Sequence, residues 1–221
     1  WGFFPSASVG WRVDQEPWMK WSKSWLDNFK LRGNFGSLGN GAISPYTFME
    51  LMEVNVTSVP FNGVAVNYTT VPTPVPSELT WETITTYDIG LDADFLKSRL
   101  SFSGDYYWKH TTDIITNGPA LPNLYGASSP KGNYAAMLTK GWEVTLSWRD
   151  AVKLGNHDFN YSIKGSLWDT RSWVADYPET DGNIYQLYKG KEIGEMWGLR
   201  TNGYFQSNIE ALQHASANGW I

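Results

Sequence analysis

The feature that most constrains this chain is a period-two alternation in which charge keeps to one side. Trp81, Thr83, Thr85, Tyr87, Ile89, Leu91, Ala93 and Phe95 alternate with Glu82, Ile84, Thr86, Asp88, Gly90, Asp92 and Asp94. Successive side chains of an extended strand point to opposite faces, so this segment reads as a strand with two unlike surfaces. The same pattern predicts strands over 2–13, 28–36, 81–95, 100–109, 141–149 and 159–168. Arg12, Lys30, Arg32, Glu82, Asp88, Asp92, Asp94, Asp105, Lys109, Glu143, Arg149 and Lys164 all fall on the polar side of these segments. None falls on the aromatic side. Phe4, Ile84, Tyr107 and Trp168 are apolar or aromatic residues that share the polar side.

Two architectures exclude charge from one face. In a transmembrane barrel, a Lys or Arg facing lipid near the midplane costs about 2–4 kcal/mol. In a soluble antiparallel sheet, the face packed on a core excludes charge equally well. Alternation alone leaves these level, and the links between strands separate them. The link 37–80 is long, 96–99 short, 110–140 long, 151–158 short, and the tail from 170 long again. All long links therefore gather at one end of the sheet, as in transmembrane barrels, whereas soluble sandwiches seldom sort their loops this way. The expected fold is all-β, an antiparallel transmembrane β-barrel segment with long extracellular loops. Six strands enclose too little space for inward polar side chains, and open sheet edges are excluded from hydrocarbon. The segment is thus expected to belong to a larger barrel. The alternative is a soluble carbohydrate-binding β-sandwich of a secreted enzyme, with exposed Trp and Tyr as stacking platforms.

Composition agrees with a membrane interface. The chain has 13 Trp and 12 Tyr but only 18% charged residues, against roughly 25% in soluble domains. Indole and phenol rings sit well at headgroup level. A net charge of -5 offers no basic surface for nucleic acid, and with no cysteine there is no disulfide, thiolate nucleophile or Cys-ligated metal. No apolar run is long enough for a transmembrane helix. The chain opens on Trp1-Gly2-Phe3-Phe4-Pro5 without an initiator Met and stops at Trp220-Ile221; both ends are expected to be cuts in a longer protein.

Candidate chemistry is sparse. Glu82, Asp88, Asp92 and Asp94 share one strand face and read as a wetted polar surface rather than paired glycosidase carboxylates. His110, His157 and His214 lack a second ligand at metal-like spacing. Asp176, Glu179, Asp181 and Asn183 form an oxygen-rich stretch that could take calcium, without the terminal bidentate Glu of a twelve-residue calcium loop. Asn55, Asn67 and Asn160 open glycosylation-type tripeptides, a pattern common by chance. Tyr46, Phe48, Phe61, Tyr68, Tyr125 and Tyr134 are aromatics of the expected loops, open to sugar rings, a partner or one another. No phosphate loop and no Ser/His/Asp arrangement is present, so no enzyme, cofactor or metal site is expected.

Several phrases carry a family resemblance. Trp1 to Val13 followed by Glu16-Pro17, Lys30-Leu31-Arg32-Gly33-Asn34-Phe35-Gly36, Leu79-Thr80-Trp81-Glu82-Thr83 and Tyr87-Asp88-Ile89-Gly90-Leu91-Asp92 occur in that order. Asp105-Tyr106-Tyr107-Trp108-Lys109, Gly118 to Pro122, Lys140-Gly141-Trp142-Glu143-Val144 and Gly190-Lys191-Glu192-Ile193-Gly194-Glu195 follow. Together they resemble the SusC/RagA-type TonB-dependent outer-membrane transporters, over part of the C-terminal half of the barrel. The resemblance implies a single barrel domain of about 22 strands, to which residues 1–221 would contribute a part. It places plug domain, TonB box and signal peptide outside this chain. It further implies import of oligomeric nutrients, glycans or peptides, across the bacterial outer membrane. The implied partners are a SusD-like surface lipoprotein, TonB acting through the plug, outer-membrane lipid, and an oligosaccharide or peptide substrate. The long links, stiffened by Val71-Pro72-Thr73-Pro74-Val75-Pro76 and the Gly118-Pro119 corner, are the expected lipoprotein interface.

Overall fold

Backbone pairing in this chain builds a single curtain of strands rather than a core between layers. The computed structural model describes residues 2–41, 49–72, 74–75, 79–122, 124, 126, 128–155, 157–179, 182–201 and 203–219. The elements are β1 (Ser6–Arg12), β2 (Leu26–Asn40), β3 (Val54–Val56), β4 (Asn67–Thr69), β5 (Glu82–Phe95), β6 (Leu100–Asn117), β7 (Lys131–Leu154), β8 (His157–Asp176) and α1 (Asn208–Ala217). One six-stranded sheet has the order β1-β2-β5-β6-β7-β8, every neighbouring pair antiparallel. β3 and β4 form a separate hairpin.

Among the described residues no second layer covers the sheet. Among the described residues the buried hydrophobics are Val13, Leu26, Ala93, Ala135 and Val174 alone. A soluble chain of this length would bury most of its apolar surface, so the sandwich alternative is not favoured.

The central strands lie where alternation predicts them, but β6, β7 and β8 run further. On β6 a bulge explains the shortfall; on β7 and β8 the charges Lys140, Asp150, Asp169 and Arg171 on the otherwise aromatic side break the alternation as well. Pairing between β6 and β7 shifts register between Thr111 and Ile114, and between β7 and β8 at Ala136/Met137. A bulge inserts a residue and flips the alternation phase, which hides the continuation of a strand beyond it. Two corrections follow. The expected long loop 110–140 shrinks to 118–130, and the tail after 170 begins only after Asp176. Likewise β1 spans Ser6–Arg12 rather than 2–13, and the link predicted over 151–158 tightens to residues 155–156.

Link sorting survives in modified form. Links 41–81 and 118–130 and the segment after β8 leave from one end of the sheet, and 13–25, 96–99 and 155–156 from the other. The 13–25 link equals 118–130 in length, so length alone does not distinguish the ends. Compactness does: Val13–Gln15 and Pro17–Ser22 are 3₁₀ turns folded onto the strand ends. In the 96–99 turn, Leu96, Lys97 and Ser98 all take φ between 56 and 60°, a left-handed run costly for residues with a Cβ. Neighbours hold it there. The Leu96 N–H donates to Trp25 O at 3.0 Å, the Ser98 N–H to Asp27 Oδ2 at 2.9 Å, and Arg149 Nε to Ser98 O at 2.8 Å.

Candidate functional site: a wall with two faces

Residues paired across an antiparallel ladder point to the same face, so the register fixes which side chains share a surface. One face carries the row Trp11, Leu31, Leu91, Gly104, Val144 and Leu167, and below it Phe29, Ala93, Phe102, Leu146 and Gly165. Above them, toward the long links, Phe35, Tyr87 and Trp108 align. Their rings meet at 5.2 Å (Phe35–Tyr87) and 5.7 Å (Tyr87–Trp108, stacked). Toward the short turns Trp25 stacks on Phe95 at 5.9 Å, and Phe159 on Tyr161 at 6.3 Å. An aliphatic band with aromatic girdles at both edges is the outer surface of a transmembrane barrel.

The first charges on this face mark the height of the band. On β7 they are Lys140 and Asp150, with Trp142, Val144, Leu146 and Trp148 between them. Ten residues at about 3.3 Å each span roughly 33 Å of strand. With strands inclined at roughly 40°, that is about 25 Å along the membrane normal, the height of a barrel's apolar belt. The upper limit also descends across the sheet, from beyond His110 on β6 to Lys140 on β7 and Asp169 on β8, while β8 gains Phe159 at the bottom. A belt oblique to its strands is what tilted strands in a flat bilayer require. Of the charges above it, Arg171 has its Nε 3.7 Å from Asp169 Oδ2 and 3.9 Å from Glu192 Oε1. Below, Asp150 meets Arg99 at 3.3 Å. Lys140, Asp150, Asp169 and Arg171 thus show that charge exclusion holds within the belt and ends at its rims.

The opposite face collects every charged residue predicted for it. At its centre Arg32 forks onto Asp92 (Nε–Oδ2 2.7 Å, Nη2–Oδ1 3.2 Å) and reaches Asp105 (2.9 Å), with Ser103 Oγ donating to Asp92 at 2.9 Å. Arg32 and Asp105 stand on β2 and β6, two strands apart, and Gly90 of β5 lies between them in the same row. A Cβ at Gly90 would fall 2.7 Å from Arg32 Cζ, so only glycine leaves the passage open. Asn34 donates to Asp88 at 2.6 Å, Asn28 to Asp94 at 3.1 Å and Asn40 to Glu82 at 2.9 Å. Each of these carboxylates is engaged in a cross-strand network. Trp168, in register with Glu143, and Tyr107, lying over Gly141, put large rings on this face. Cross-strand ion and amide pairs are invisible in the sequence until a register brings residues about sixty positions apart together.

At the short-turn end Asp14 is buried. Arg12 donates two hydrogen bonds to it at 2.8 Å, Gln15 another, and the Phe29 N–H a further one at 3.2 Å. The Arg12 guanidinium, helped by these amides, holds the Asp14 carboxyl well below the usual range. No sequence signal singled it out.

The remaining candidates stay apart. His110 lies within β6, His157 opens β8, and His214 sits on α1 with its ring 5.3 Å from Phe205. Asp181 of the proposed calcium stretch lies outside the described residues. Asp176 is occupied by the Tyr177 N–H and Lys189, and Asn183 by the Tyr185 N–H. No group of three metal-ligating side chains occurs among the described residues. Of the candidate loop aromatics, Tyr134 belongs to β7 rather than a loop; Phe61 at 81% exposure and Tyr68 at 49% are on or beside the β3–β4 hairpin. Tyr46, Phe48 and Tyr125 lie outside the described residues.

A one-layer antiparallel sheet with an uncharged, aromatic-edged outer belt and a charged inner face defines a class: the wall of a transmembrane β-barrel. The chain belongs to the TonB dependent receptor-like, beta-barrel family, whose model matches residues 1–213. It is 30% identical over 219 residues to TonB-dependent receptor P26 of Formosa agariphila, covering 94% of this chain and 21% of that protein. It is 25% identical over 196 residues to TonB-dependent receptor SusC of Bacteroides thetaiotaomicron, covering 87% and 19%. The fold matches a solved RagAB peptide transporter with a TM-score of 0.62 at 23% identity, over 78% of this chain and 18% of that one. The chain thus spans about a fifth of the length of these relatives.

Proposed function

We propose that this chain is part of the wall of a bacterial outer-membrane transporter that imports oligomeric nutrients, glycans or peptides, with energy supplied through TonB. The observation that carries this is the pairing of one belt about 25 Å high without charge with one face dense in charge. A soluble protein has no use for the first, and a lipid-filled interior no use for the second. Family membership and the likeness to SusC support the transporter class. Residues 1–221 would all belong to one barrel domain whose charged inner face surrounds the plug on which TonB acts. The role is transport, with no catalytic group assigned.

The long-link end would face outward and meet a SusD-like surface lipoprotein. Supporting this, the β3–β4 hairpin stands clear of the sheet, with Val54, Val56, Val59, Phe61 and Val64 each 62–81% exposed. An apolar hairpin of this kind in water fits a protein partner. The test is deletion of the full gene, then growth on oligosaccharide or peptide as sole nutrient. Loss of growth on one class, restored by the gene but not by a copy lacking its TonB box, is the expected result. Unchanged growth and uptake on every oligomer tested would refute the reading.

A further inference from the structure

We infer that the link 13–25 is a bilayer-interface anchor, its Trp rings seated among lipid headgroups and its lysines on lipid phosphate. The inference rests on the wall reading and extends it to a segment that is not a strand. The link is rigid. Val13, Asp14, Ser22 and Leu26 are buried, Ser22 Oγ donates to Met19 O at 2.7 Å, and the Met19 N–H to Glu16 O at 2.9 Å. On this frame Trp18 and Trp21 project at 57% and 69% exposure, a large unpartnered aromatic surface.

What covers that surface follows from what it continues. Trp11, on the lipid-facing side of β1, meets Trp18 edge-on at 6.3 Å, and Trp21 meets Trp25 at 6.0 Å. Trp25 in turn lies flat on Phe95, the last residue of the β5 belt, at 5.9 Å. The tryptophans are therefore continuous with the belt, and Arg12 and Asp14 turn to the inner side. Charge agrees. The acids of this end are engaged: Asp14 by Arg12, Glu16 by Trp11 Nε1 at 2.8 Å, and Asp27 by the Ser98 N–H. Lys20 and Lys23 are exposed on the same link. Rings at headgroup depth flanked by ammonium groups match the lipid interface, where indole is favoured and Lys meets phosphate.

The test uses the full-length transporter in phosphatidylcholine vesicles with and without phosphatidylglycerol. Nitroxides are placed at Ser24→Cys, which leaves every Trp and Lys intact, and separately at the belt residue Leu146→Cys. Accessibility to lipid-soluble oxygen is compared with that to a water-soluble nickel chelate. The Ser24 label is expected at interfacial depth, shallower than Leu146 but shielded from the chelate. Adding Trp18→Ser and Trp21→Ser should release it to water. Lys20→Gln with Lys23→Gln should abolish any deepening by phosphatidylglycerol. A chelate-accessible Ser24 label beside a lipid-buried Leu146 label overturns the anchor while leaving the wall intact. A chelate-accessible Leu146 label overturns both.

Discussion

Leu146 lies near mid-belt and is 49% exposed on the lipid-facing side of β7. Six residues separate it from Lys140 and four from Asp150, about 20 and 13 Å of strand, or about 15 and 10 Å of depth at a tilt of roughly 40°. An Arg at 146 is therefore far from water in both directions. Leu146→Arg is expected to cost about 2–4 kcal/mol, a thirty- to seven-hundredfold loss in the folding equilibrium at about 1.4 kcal/mol per decade. The neighbouring Thr145 faces the other way, its hydroxyl 3.0 Å from that of Ser166, in the row of Asp92. Thr145→Arg enters a wet, acid-rich surface and is expected to change stability by no more than about 0.5 kcal/mol. Urea titration of full-length protein refolded into phosphatidylcholine vesicles, followed by Trp emission, measures both. Equal costs for the two variants, or a larger one for Thr145→Arg, would refute the assignment of faces and with it the membrane reading.

Three further outcomes are expected. Gly90→Ala should push the Arg32 guanidinium away from Asp105 and cost about 1–2 kcal/mol; a denaturation cycle should show that cost largely vanish in an Arg32→Gln background. The lowered Asp14 carboxyl contributes stability that is complete above the ordinary Asp range near about 4 and is lost as pH falls below it. The protection factors of the amides around Phe29 should accordingly fall between neutral pH and pH of about 3 in the native protein, and already be low at neutral pH in Asp14→Ala. On intact cells without the proposed surface lipoprotein, an impermeant thiol reagent should label Ser128→Cys in the 118–130 link and spare Ser98→Cys; the reverse would invert the proposed topology.

Sequence exposed the parts of this fold governed by a strong local rule. Between Trp81 and Trp108 one misplaced charge would face lipid, so Glu82, Asp88, Asp92, Asp94 and Asp105 had to keep phase, and the strand and both its faces could be read directly. Where the rule relaxes, legibility fails. Past Thr111 a bulge resets the phase, and at Lys140, Asp169 and Arg171 the belt has ended, so charges reappear on the outer face. The Arg32–Asp92–Asp105 fork and the Trp25–Phe95 stack join residues 60 to 73 positions apart. No local pattern marks them, because their cause is the register itself. Trp18 and Trp21 follow neither period, since a 3₁₀ link pressed against strand ends repeats nothing.

With so few buried hydrophobics, the sheet cannot owe its shape to a core. Its backbone ladders fix the strands, and lipid outside and water inside then impose different demands on alternate residues. Outside, hydrocarbon rejects charge over the whole belt but is indifferent to which apolar group stands there, so Ile89, Leu91, Val144 and Leu167 are interchangeable with other apolar residues of similar size. Inside, a central set of polar groups has named partners: Arg32 has Asp92 and Asp105, Asn34 has Asp88, Asn28 has Asp94. Replacing one strands the other, and Gly90 admits no replacement without moving the fork. Chemical identity is therefore constrained on the inner face and hydrophobic character on the outer. Relatives that carry different cargo can then be expected to differ in inner-face pairs exchanged together, while their belts drift freely among apolar residues.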